Sequence, residues 1–181
     1  MPGKVTVPSG LACPDDIAVQ PRTREAHILG GMWRNAAFAD DEAIVRMCVS
    51  LNAEDPGPEP VPTDNVRRTL RELREAPIRG RAVVLEIDGR VSGYALLISF
   101  WSNELGGEVC VIDELYVEPE QRGNRYATRL LETLSARGTP WVENAVALAL
   151  ETTPDNEQAR RLYERVGFRG RNLSMRRRLT G

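Results

Sequence analysis

The sequence predicts a mixed α/β fold, and three observations carry that expectation. Apolar residues alternate between helical spacing and short β-rich runs, in the order β-α-α-β-β-β-α-β-α-β. Asp88-Gly89 splits residues 81–101 into two β-rich halves, a strong hairpin signal. The stretch VEPEQRGNRYATRLL, residues 117–131, turns a strand directly into a helix through a proline and a single glycine flanked by Arg122 and Arg125. At 181 residues the chain is expected to form one domain over 31–181, preceded by an extension over 1–30 that carries four prolines.

MWRNAAF (32–38) is the first expected strand. In DDEAIVRMCVSLNAED (40–55), Ile44, Met47, Cys48 and Leu51 recur at i, i+3, i+4 and i+7, an amphipathic helix with Asp40 as its N-cap. EDPGPEPVP (54–62) is an acidic, proline-rich loop. Thr63 then caps a second helix with Val66, Leu70 and Leu73 as its buried stripe. RAVVLEI and RVSGYALLISFW form the hairpin, and Gly106-Gly107 returns the chain into EVCVIDELYV (108–117). That near-continuous apolar run predicts a strand buried on both faces. After the loop, Ala127, Leu130, Leu131 and Leu134 keep helical spacing, and AVALALE (145–151) is a further buried strand. TPDNEQARRLYERVGF (153–168) is expected as a helix capped by Asp155, with Ala159, Leu162, Tyr163 and Val166 on one face and Gly167 at its stop. LSMRRRL (173–179) is expected as a final strand.

Composition narrows the chemistry. A net charge of −2 gives no broad attraction to nucleic acid. No apolar stretch approaches the ~20 residues that cross a bilayer, and the first thirty lack a signal-peptide core. A cytoplasmic location, with neither nucleic acid nor membrane as partner, is therefore expected. Cys13, Cys48 and Cys110 have no metal-ligand spacing and read as reduced thiols. His27 is the only histidine, which excludes a multi-histidine metal site and leaves any Ser-His-Asp triad dependent on it alone. Carboxylates, tyrosine, cysteine, backbone amides or a cofactor must carry the reaction.

A strand, a glycine-containing turn and a helix aim the free N–H groups of the first helical turn at one spot. The helix dipole adds about half a positive charge there, which suits phosphate. Arg122 and Arg125 supply charge, Asn124 and Thr128 hydrogen bonds, and Gly123 close backbone approach. This segment has a second motif downstream. Val117-Glu118-Pro119 leads into Arg122-Gly123-Asn124-Arg125-Tyr126-Ala127, and later come Asn156, Ala159, Tyr163, Glu164, Gly167 and Phe168. In that order they resemble the two signatures of the GNAT superfamily, the acyl-CoA N-acyltransferases. The likeness covers about residues 32–178. Arg125 stands where the family usually has glycine, and it fits if it already belongs to the first helical turn.

The resemblance implies a central, mostly antiparallel sheet splayed at one parallel strand pair, with helices on both faces. It implies acetyl-CoA as co-substrate and no metal. The pantetheine would pair with Leu115, Tyr116 and Val117. The pyrophosphate would sit on Arg122, Gly123, Asn124, Arg125, Tyr126, Ala127 and Thr128, and Asn156 would contact the pantetheine arm. A primary amine would attack directly, after losing a proton to Glu114 as first candidate base or Asp113 as second. Strand alternation puts those two on opposite faces unless a bulge intervenes. Tyr163 would protonate the leaving thiolate. The acceptor is expected to be a small cationic molecule or a peptide or protein amine, because Glu54, Asp55, Glu59, Glu104 and Glu108 and the aromatic Trp101 would line its walls. A non-catalytic acyl-CoA-binding regulatory module is the alternative, and a homodimer a further expectation.

Overall fold

Five strands lie in the sheet in the order in which they leave the chain: β1 (Gly31–Asn35), β2 (Gly80–Ile87), β3 (Arg90–Ser102), β4 (Gly107–Val117) and β5 (Ala147–Leu150). The structure, a computed structural model, describes residues 31–57, 59–138 and 144–170. The extension expected over 1–30 and the strand expected over 173–179 lie outside the described residues. Neighbouring strands are antiparallel except β4 and β5, which run parallel. A parallel pair needs a crossover, and helix α3 (Tyr126–Ser135) supplies it.

The sheet is covered on both faces because its central strands alternate two apolar sets. On β3, Tyr94 and Leu96 face one way and join α1 (Asp41–Glu54) and α2 (Thr63–Glu75) in a cluster around Ile44, Cys48, Leu70 and Tyr116. Ala95 and Leu97 face the other way, onto Leu130, Leu131 and Leu134 of α3 and Leu162 and Val166 beside α4 (Glu157–Arg165). The β2–β3 turn has Asp88 at φ 49 and Gly89 at φ 76, both in the left-handed region that a tight hairpin turn requires. Among the described residues no helix is long and apolar enough to cross a membrane.

Three helix starts differ from their expected form. Asp40 does occupy the N-cap position of α1, but its carboxylate turns back, accepting from the Ala37 N–H at 2.7 Å and from Arg34 at 2.7 Å. The cap of α2 is Pro62, so Thr63 is already helical. Asn156, not Asp155, caps α4, its side-chain oxygen accepting from the Ala159 N–H at 3.1 Å. At α1 the Asp40 carboxylate is taken up by Arg34 and the Ala37 N–H in place of the helix N–H groups. The stop of α4 is as expected: Gly167 has φ 98, its N–H bonds Glu164 O, and the Phe168 N–H bonds Tyr163 O, closing a Schellman motif.

Asp40 is 6% exposed, and the Arg34 guanidinium, against the opposing effect of burial, holds its carboxyl below the ordinary range. A group depressed in the folded state contributes stability above its unfolded pKa and loses it as pH falls through the folded value. Asp40→Asn is expected to lower unfolding free energy by roughly 1–3 kcal/mol at pH 7. That deficit should shrink as the pH drops below about 4. Urea melts at pH 7 and pH 3 check it, and an equal deficit at both values contradicts the charge-based account.

Candidate functional site

The site starts from an irregularity in β4. Leu96 of β3 pairs with Glu114, but Leu97 pairs with Ile112, so Asp113 is an extra residue that the β3–β4 register skips. In a regular strand Ile112 and Glu114 would share a face. The bulge separates them: Ile112 packs with Cys110 against α3, whereas Glu114 turns toward α1 and Asp113 is exposed. Pairing between β4 and β5 also ends here, at Ile112 and Leu150. From Asp113 to Val117, β4 keeps β3 on one edge and, among the described residues, has no strand on the other. That leaves about 13 Å of open strand edge.

Glu114 is held between sheet and helix. The Tyr94 hydroxyl donates to one carboxylate oxygen at 2.7 Å, and the Cys48 thiol lies 3.9 Å from the other. Burial pushes the Glu114 carboxyl above its ordinary value, the Tyr94 hydrogen bond pulls it down, and the Asp113 charge pushes it up again. Tyr94 is fully buried. Nothing in the sequence singled it out, because a tyrosine in an apolar strand reads as packing. The structure pairs it with Tyr116, two residues beyond Glu114 on β4.

The loop after β4 begins with a 3-10 turn, Pro119–Gln121, and ends at α3. Gly123 has φ 83, and the space where a Cβ would sit is open. Arg125 is not in the helical first turn. It is the N-cap of α3 in the left-handed region, at φ 62 and ψ 17, and offers no side-chain cap. The N–H groups of Tyr126, Ala127 and Thr128 therefore open α3 with no carbonyl of their own helix to bond. Tyr126 itself is 8% exposed, its ring close against Gly31 and its carbonyl accepting from Trp33 Nε1 at 3.0 Å. What it offers the loop is backbone. Asn124 donates to Gln121 O, Arg125 reaches Glu132 at 3.3 Å, and Arg122 donates to Val117 O at 2.8 Å and Glu54 at 2.7 Å.

Across the opening, Asn156 starts α4 and Tyr163 lies on it. Tyr163 packs into the α3-side cluster, edge-on to Phe168 with ring centroids 6.0 Å apart. Burial first, and the Asp55 charge second, push its hydroxyl above the ordinary value, so it stays protonated. Glu114 and Tyr163 thus sit on opposite faces of the sheet, flanking the open strand edge. Burial pushes the Cys110 thiol up to about 12, which removes it as a nucleophile near neutral pH. Among the described residues no group of His, Cys, Asp or Glu could hold a metal ion.

Three of the acids expected in the acceptor walls have partners within the chain. The Glu54 and Asp55 carboxylates are both engaged by other parts of the chain. Glu108 pairs with Trp101 and bonds Ser99 at the far end of β4, about 16 Å along the strand from the bulge.

Residues 45–168, from α1 to the end of α4's stop motif, match the acetyltransferase (GNAT) family. The chain belongs to that family. It is 40% identical over 90 residues to an uncharacterized N-acetyltransferase of Methanocaldococcus jannaschii, a stretch covering 50% of this chain and 53% of that protein. The chain thus matches about half the length of this relative. A possible acetyltransferase from Clostridium difficile 630 superposes with TM-score 0.70 at 20% identity, covering 83% of this chain and 98% of its own. The aminoglycoside N-acetyltransferase AAC(6')-Iy, in complex with CoA, superposes with TM-score 0.65 at 19% identity, covering 82% and 95%. These likenesses extend over the mixed sheet and its parallel pair, the GNAT fold that the two sequence motifs implied.

Within this GNAT fold, the left-handed backbone at Arg125 is strained for a residue with a Cβ. Arg125→Gly is expected to raise stability by roughly 0.5–1 kcal/mol, the relief being partly offset by the greater chain entropy of glycine. Thermal melts of the two proteins check this. A lower melting temperature for the glycine variant would mean that the Arg125–Glu132 contact outweighs the strain.

Proposed function

We propose that the protein transfers an acetyl group from acetyl-CoA to a primary amine of a small cationic molecule or a peptide. The observation that carries this reading is the meeting of three features at one place. The edge of β4 beyond Ile112, which no strand among the described residues pairs, the open space at Gly123 and the N–H groups that open α3 follow one another along the chain. An extended amide-bearing chain such as pantetheine pairs with a strand edge as a further strand would. A pyrophosphate suits a glycine turn at a helix N-terminus. Leu115, Tyr116 and Val117 take the first role, and the backbone of Gly123 through Thr128 takes the second. Family membership and the CoA-bound aminoglycoside N-acetyltransferase support the same ligand.

In this reading the acetyl carbonyl lies at the bulge, where the displaced backbone offers an N–H to the developing oxyanion. The acceptor amine, with a pKa near ~10 if lysine-like, arrives protonated. Glu114, ionised and aligned by Tyr94, takes that proton through water. The nitrogen lone pair forms the new C–N bond, the C–S bond breaks, and the thiolate takes its proton from Tyr163, which is restored through water by the second proton shed from the acylated nitrogen. Asp113 is the second candidate for the base, and its charge contributes to the raised pKa of Glu114. Asn156, fixed by its own capping bond, presents its remaining polar atoms toward the α1 side of the opening.

The test is CoA release over a panel of polyamines, aminoglycosides and peptide amines. Tyr163→Phe and Glu114→Gln should each lower kcat by about 10²- to 10⁴-fold. Turnover by neither protein nor variants, with acetyl-CoA still bound, would instead favour a binding module. Tyr94→Phe should act differently. It removes the hydrogen bond that lowers the Glu114 pKa, so the acid limb of kcat/KM should move to higher pH. An unmoved limb would take the base role from Glu114.

A further inference from the structure

α1 ends in two acids. Glu54 is its last helical residue and Asp55 its C-cap, with no basic residue in the last turn. Negative charge there opposes the helix dipole, so helix stability does not account for it. The contacts do. Glu54 accepts from the Tyr116 hydroxyl at 3.0 Å and from Arg122 at 2.7 Å, with the Arg122 guanidinium 5.2 Å from the Tyr116 ring centroid. Asp55 accepts from Asn156 Nδ2 at 2.8 Å and from Thr153 Oγ1 at 3.2 Å, residues 101 and 98 positions away. The adjacent acids therefore hold the two segments that flank the β4–β5 opening, one each, beyond the point where strand pairing has stopped.

Both loop arginines have a carboxylate partner. Arg122 has Glu54, and Arg125 has Glu132. The first pair is the closer and less exposed, with side chains 36% and 42% accessible against 68% and 52%. A guanidinium satisfied by a half-exposed carboxylate remains exchangeable, because such pairs are weak in water and a phosphate presents the same paired oxygens with more charge. Glu54 is thus an internal anion lodged on a cation of the proposed phosphate loop.

We propose that Glu54 is a positioning residue that competes with the anionic co-substrate for Arg122, and so sets the affinity of the site for acyl-CoA. The inference rests on the acetyl-CoA reading given above. It makes Arg122 a switched contact: with the site empty it braces α1 against β4, and with pyrophosphate bound it turns to the loop. Asp55 keeps its hold on Asn156 throughout, so the α4 side of the opening does not move with the exchange.

The experiment is calorimetric titration of CoA into wild type, Glu54→Gln, Arg122→Gln and the double variant. Glutamine keeps a carbonyl for the Tyr116 hydroxyl but removes the competing charge. Glu54→Gln should tighten CoA binding by about three- to fivefold, the scale of a half-exposed ion pair. Arg122→Gln should weaken it. In the Arg122→Gln background the Glu54→Gln change should have no effect, a coupling that a purely structural role or a general field effect would not give. Unchanged or weaker binding by Glu54→Gln, or an equal gain in both backgrounds, overturns the competition. Absence of CoA binding by wild type overturns the co-substrate reading itself, and this inference with it.

Discussion

Everything at the site follows from β4 being paired on both edges only as far as Ile112. From Val109 to that residue its backbone is paired with both β3 and β5, and Val109, Cys110 and Ile112 are buried. One extra residue, Asp113, then changes the face on which the strand presents its side chains, while β5 ends at Leu150. A strand that kept regular alternation would bury residue 114 against α3. The bulge instead delivers a carboxylate to Tyr94 and Cys48 under α1 and, among the described residues, leaves a strand edge that no other strand pairs. Exposed edges are hazardous unless covered or used. Here the edge lies between two loops whose spacing is fixed by side chains instead of by backbone pairing.

Those side chains come from an unexpected source. α1 packs through Ile44, Val45, Met47 and Cys48 against β3 and β4, which brings its C-terminal acids over the opening. Tyr116 sits beneath them, and burial together with the Glu54 carboxylate pushes its hydroxyl above the ordinary value, so it remains a donor. The first helix therefore serves three tasks from one stripe. It covers the sheet, supplies the thiol beside Glu114, and ends in carboxylates that reach both walls. The left-handed Arg125 belongs to the same region, and strain there is tolerated because flanking residues are well anchored: Tyr126 on Gly31 and Trp33, and Val117 through Arg122.

Much of this was legible in the sequence, and unevenly so. Period and turn chemistry located all five described strands, the four α-helices, the Asp88-Gly89 hairpin and the Gly167 stop, because those signals are local. The paired motifs around Gly123 and Tyr163 led to the family, since their order along the chain is informative even where Arg125 departs from it. Cap identities were less legible: Asp40 and Asn156 each chose between partners on different elements, which spacing along one helix does not encode. The bulge was anticipated only as a possibility, for an inserted residue in an apolar strand leaves no compositional trace. Glu54 and Asp55 read as acids of an acceptor wall, and their partners within the chain were not legible because the residues that bind them lie up to 101 positions away.

The central claim is that the open edge of β4 and the loop before α3 form one ligand site. Amide hydrogen exchange with and without saturating acetyl-CoA tests it most directly, because it reads backbone hydrogen bonds segment by segment. Protection should rise in two stretches together, 113–117 and 123–128, with β1 and β2 unchanged. No added protection in either stretch, or protection confined to the separate cavity between Leu134, Leu148 and Phe168, would contradict the account.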